Sequence, residues 1–167
     1  MEPKYAQAVK AGVIGGILLA LSHVLMLVIN VVISWIEAVT IIGLLGCCIW
    51  IFLMVIAAGT GALATRYAAP YITGINDALS LSAVAGLVAG ILSAIAQMII
   101  AFIEPILLGT TYEYTSTITE GLGTGLGLGL GSAVGSACCC APFSILFTII
   151  FAAIGGAIYA YTQLKIK

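Results

Sequence analysis

Four stretches of this chain, Ala11–Trp35, Val39–Ala64, Ala78–Ile103 and Val134–Tyr161, each run for more than twenty residues without a single charged side chain. A helix that crosses a bilayer needs about 20 consecutive, mainly apolar residues. Four runs of that length leave few folds open. A soluble domain covers itself with about 25% charged residues, whereas this chain has 7%, five basic and six acidic among 167. A water-soluble fold is therefore excluded. Inside lipid every backbone N–H and C=O must be satisfied internally, by helices or by a closed barrel, and the runs lack the in–out alternation of barrel strands. The expected fold is all-α and integral to the membrane: a four-transmembrane-helix bundle, read as a single membrane domain over residues 1–167.

The polar punctuation fits that count. A turn is expected around Ile36-Glu37-Ala38, and a longer connection from Thr65 to Ile75 contains Pro70 and Gly74, with Asn76 or Asp77 placed to cap the third helix. Pro105 is expected to end the third span. With four spans all the basic residues (Lys4, Lys10, Arg66, Lys165, Lys167) fall on one side, and Glu37, Glu104, Glu113 and Glu120 on the other. The positive-inside rule then puts both termini in the cytoplasm of a multi-pass cell-membrane protein. Tyr5, Tyr67, Tyr71, Tyr159 and Tyr161 lie at the inner interface, and Tyr112 and Tyr114 in the outer loop. The lysines ahead of Ala11 resemble a signal-peptide n-region, but the run after them is too long for a signal h-region, so it is expected to be a retained span. So few basic residues offer no surface for nucleic acid.

Displacing the sequence by 74 residues sets Ala11–Ala20 against Ala85–Ala94 with six identities in ten positions. The second and fourth runs echo each other more loosely through Ala57-Ala58-Gly59-Thr60-Gly61-Ala62 and Ala152-Ala153-Ile154-Gly155-Gly156-Ala157. The chain therefore reads as a duplicated two-helix hairpin: residues 1–69, then residues 70–167 with an outer loop and glycine-rich insertion at 104–135. Two hairpins of even span number have parallel topology, and a pseudo-twofold axis along the membrane normal is expected.

The same register pairs His23 with Gln97 and Asn30 with Glu104, on stripes shared with Gly12/Gly16 and Gly86/Gly90. Polar side chains are costly in lipid unless partnered, so these stripes should face the bundle interior. His23, Gln97, Asn30, Glu104, Ser22 and Ser93 are the candidate binding residues. An interhelical hydrogen bond that only packs helices is the simpler reading of the same set; a midplane proton or ligand site is the functional one. The cysteines fall in two clusters, Cys47-Cys48 and Cys138-Cys139-Cys140. They read as small apolar packing residues, as an interhelical disulfide or redox pair, or as a metal or lipid-attachment site.

The segment Gly121–Gly135, GLGTGLGLGLGSAVG, is expected to be an outer-leaflet helical extension or a re-entrant element. In a helix Gly123, Gly127, Gly131 and Gly135 would share one face. The segment resembles the glycine motif of rotary ATPase proteolipids, which are also hairpin duplications. That family needs a carboxylate in the middle of the following helix, and Pro142–Tyr161 contains no acid, so the resemblance does not extend to function. The outer loop, rich in Thr, Tyr and Glu, reads as a solvated connection or a docking surface. No phosphate loop, metalloprotease motif or nucleophilic triad is present. The expected function is non-enzymatic, with no cofactor: a helix-packing homo-oligomer, or an accessory unit among other membrane protein subunits in the lipid bilayer. A small transporter or channel centred on His23 and Gln97 is the alternative, and a thiol oxidoreductase using the outer cysteines the third.

Overall fold

The computed structural model describes residues 3–34, 39–107 and 124–165, with side chains described over 3–29, 31–32, 48–103 and 141–165. The chain forms α1 (Pro3–Ser34), α2 (Val39–Ala68), a short 3-10 turn (Ala69–Tyr71), α3 (Ile75–Leu107) and α4 (Thr124–Gln163). All four helices are long and apolar enough to cross a membrane. This is the expected all-α, four-helix membrane bundle.

Local chemistry sets the ends of these helices. Pro3 opens α1, where a missing N–H costs nothing. Between α2 and α3 the connection is shorter than expected, because α2 continues through Thr65 to Ala68 and Pro70 then sits in the 3-10 turn. Asp77 closes the start of α3 from within its first turn. Its carboxylate accepts from the Thr73 backbone N–H at 3.2 Å and from the Thr73 hydroxyl at 2.6 Å. It thus reaches back like the acid of a capping box instead of acting as the N-cap residue itself.

Pro105 does not stop α3, which runs on to Leu107, and Pro142 lies well inside α4. α3 extends only two residues past Pro105, whose missing N–H frees a single carbonyl of the preceding turn. The glycine-rich segment is helical from Thr124 and continuous with the fourth span, so α4 has 40 residues. At about 1.5 Å per residue, α4 is far longer than the roughly 30 Å hydrocarbon core. The expected turn at 36–38, most of the outer loop and residues 121–123 lie outside the described residues.

The interior is made of small residues and the exterior of large aliphatics. Ala11, Ala64, Ala78, Ala85, Ala89 and Ala152 are completely buried, while Leu21, Leu25, Ile51, Val55 and Leu146 face outward. In lipid no hydrophobic force separates the two classes, so helices associate where small side chains let backbones approach. Gly12 approaches Ala85 so closely that an added Cβ would lie 2.7 Å from the Ala85 carbonyl. Gly61 abuts the Ala152 backbone and Gly155 abuts the Ala58 backbone, so α2 and α4 cross almost backbone on backbone. Gly59 is the counterexample: nothing lies within 4 Å of the position a Cβ would take. Gly59→Ala should therefore leave the bundle intact and stabilise it by up to about 0.5–1 kcal/mol, because alanine loses less backbone entropy in a helix. Denaturant unfolding of the full chain in detergent checks this.

Contacts order the helices α1–α3–α4–α2 around the bundle, with α2 also touching α3 across it; among the described residues α1 and α4 have no comparable contact. Parallel helices are thus neighbours. A twofold axis exchanging the hairpins would make the α2–α3 and α1–α4 contacts equivalent, and they are not, so that expectation is corrected. The glycine stripes supply the physical reason. Gly12 and Gly16 of α1 face α3, but their counterparts Gly86 and Gly90 face Ile149 and Ile145 of α4. The hairpins accordingly stack side by side.

Candidate functional site

The residues singled out by the 74-residue register meet in the bundle. His23 Nε2 lies 2.7 Å from Gln97 Nε2, and His23 Nδ1 lies 2.7 Å from the Leu19 carbonyl oxygen one turn earlier. A carbonyl can only accept, so Nδ1 carries the proton and donates to Leu19. Nε2 of the neutral ring then accepts from the Gln97 amide, an assignment made from the hydrogen-bond pattern. The second N–H of that amide group points to Ser144 Oγ at 3.2 Å. Both amide donors are thereby used. The chain Leu19–His23–Gln97–Ser144 joins α1, α3 and α4, and it links α1 to α4 through a side chain of α3.

Each member is held by its own helix. His23 and Gln97 are partly buried; Gly16 lets α1 approach Ala89 and Leu92 of α3, and Gly90 lets α3 approach Ile145 of α4, so the three helices are close enough for the side chains to meet. On α4 the Ser144 carbonyl accepts from the Thr148 hydroxyl at 2.8 Å, so Ser144 and Thr148 form one polar stripe along that helix. Ser144 was not among the residues expected from sequence. Its signal was present: Ser144 and Thr148, four residues apart, are the polar positions that follow Pro142 in the fourth run.

The remaining candidates divide. Ser22 is buried and donates to the Leu18 carbonyl at 2.8 Å, a bond within its own helix. Ser93 is buried one turn before Gln97 on α3. Asn30 and Glu104 lie within α1 and α3, but their side chains fall outside the described residues, as do those of Cys47, Cys138, Cys139 and Cys140. Cys48 is an exposed free thiol on α2. Close by in sequence, Trp50 packs edge-on against Phe147 of α4 at 5.7 Å between ring centres. Among the described residues no three potential metal ligands gather.

A second buried polar group was not anticipated. Thr65 of α2 and Ser82 of α3 are completely buried, with their hydroxyls 3.0 Å apart. Thr65 donates to the Gly61 carbonyl at 3.0 Å, and Ser82 lies 2.7 Å from the Ala78 carbonyl. Gly156 of α4 packs directly on this pair, leaving no space for a side chain. Thr65 read from sequence as the first residue of a loop, which hid its role as an interior contact.

In chemical terms the His23 chain can orient and hold three helices, and both ring nitrogens of His23 are engaged within it. No protein-family model, curated protein or solved structure matches the chain.

Proposed function

We propose that this multi-pass membrane protein is a non-enzymatic packing element, assembling as a homo-oligomer or as an accessory subunit of a membrane complex, with both termini in the cytoplasm. The observation that carries this reading is the unbroken helix through Thr124–Gly135, continuous with a span yet extending well past the length a bilayer requires. Glycine disfavours an isolated helix by up to about 1 kcal/mol per residue. A helix with Gly127, Gly131 and Gly135 at four-residue spacing is supported best by a close partner helix. The interior polar groups add to the case, since His23, Gln97, Thr65 and Ser82 are committed to contacts within the bundle. In this reading the 74-residue correspondence reflects duplication of a hairpin, each copy supplying one partner of the His23–Gln97 bond.

Crosslinking in intact membranes tests the proposal. The wild-type chain should give discrete higher-mass products, and Gly131→Leu, which puts a bulky side chain on the proposed contact stripe, should reduce them at least severalfold. Wild-type products no more abundant than those of an unrelated monomeric membrane protein would contradict the reading.

The convergence of His23, Gln97 and Ser144 from three helices supports a second reading, a small transporter or channel with its site at that chain. On this reading His23→Leu abolishes solute flux into vesicles while the fold persists. On the packing reading the same substitution lowers stability only.

A further inference from the structure

At the end of the bundle where the basic residues gather, a surface groove of ≈ 470 Å³ runs between α1 and α2. It is lined by Gln7, Val9, Lys10, Val13 and Ile14 of α1 and by Tyr67 of α2. Its two ends differ in chemistry. The groove surface is mainly apolar, with Gln7, Lys10 and Tyr67 bringing an amide, an ammonium and a phenol among its lining residues toward the helix termini. Val13 and Ile14, one turn deeper, are exposed aliphatics on the lipid-facing surface. The groove floor is fixed, because beneath it Ala11 packs on Ala64 and Ala8 on Ala68.

We propose that this groove holds the headgroup and upper acyl chain of one anionic phospholipid from the adjoining leaflet. Lys10 pairs with the phosphate, Gln7 and Tyr67 donate hydrogen bonds to the phosphate or glycerol oxygens, and Val13 and Ile14 line the first methylenes. Charge selects the occupant. Lys10, Arg66 and Lys165 lie toward this end of the bundle, and the acid described there, Asp77, stays ionised through its Thr73 hydrogen bonds and has Lys4 for a neighbouring cation. Apolar walls open to the membrane favour a lipid over a free anion, which would leave Val13 and Ile14 uncovered. A lysine near a membrane surface contributes enough to anionic-lipid attraction for its removal to weaken binding about fivefold.

The test is a titration of the purified full chain in non-ionic detergent with phosphatidylglycerol or phosphatidylcholine, with bound lipid resolved by native mass spectrometry. One phosphatidylglycerol should bind in preference to phosphatidylcholine. Lys10→Gln should weaken it about fivefold, Lys10→Arg should retain it, and Lys165→Gln, which removes a charge at the same end but outside the groove lining, should weaken it clearly less than Lys10→Gln. Millimolar inorganic phosphate should not displace it. Equal affinity for the two lipids, no effect of Lys10→Gln, or an equal effect of Lys165→Gln would overturn the site. Displacement by inorganic phosphate would reassign it to a soluble anion and overturn the lipid assignment.

Discussion

Gly61→Val should open the bundle. At Gly61 the space for a Cβ is already taken by the backbone carbonyl of Ala152, and a valine adds two methyl groups beyond it. Ordinary overpacking costs about 1–3 kcal/mol because a neighbouring side chain changes rotamer. Here the obstacle is main chain, and α4 cannot yield without moving as a whole. The loss should therefore reach about 3 kcal/mol or more, read as a lower denaturant midpoint in detergent or as failure to accumulate in the membrane. Gly155→Val should behave alike, since Gly155 meets the Ala58 backbone across the same crossing. Gly59→Ala, two residues from Gly61 but facing open space, is the control. Equal tolerance of Gly61→Val and Gly59→Ala would show that α2 and α4 do not cross at this point.

Gln97→Leu has the second-largest expected effect. It removes the donor to His23 Nε2 and the donor to Ser144 Oγ in one step. Hydrogen bonds inside membranes contribute about 0.6 kcal/mol on average and up to about 1.7. Two lost at once, with an imidazole acceptor left unpartnered, should cost about 1–2 kcal/mol. The double-mutant cycle of His23→Leu and Gln97→Leu is the sharper measurement. Coupled residues make the double change cost less than the sum of the single ones, by about 0.6–1.7 kcal/mol here. Strict additivity would mean that the two side chains do not bond.

Much of this interior could be read from the chain, and the exceptions have physical causes. The spans were legible because lipid imposes one rule on length and polarity, and these runs obey it. His23 and Gln97 were legible as a pair because each is a polar residue on a glycine stripe, and polar groups in lipid seek one another. Ser144 was harder to find, since a serine can satisfy itself against its own helix, as Ser22 does with Leu18. Thr65 and Ser82 were hidden by their nearness to helix ends, where water would solvate a hydroxyl equally well. The order of helices around the bundle was not legible. A glycine stripe announces close approach but not which partner approaches, so Gly86 could face α1 by symmetry or α4, as it does.

The tail of α4 is where sequence and fold combine. As a string of glycines it is open to a re-entrant reading; as the first turns of a 40-residue helix it carries Gly127, Gly131 and Gly135 at four-residue spacing, the ground for the proposed packing role. The most direct test of that account is the protein mass of the particle extracted from its own membrane in mild detergent, measured by light scattering during size-exclusion chromatography. A multiple of 17.1 kDa, or a larger complex containing the chain, is expected, reduced by Gly131→Leu. A wild-type particle holding a single 17.1 kDa chain and no other protein would contradict it.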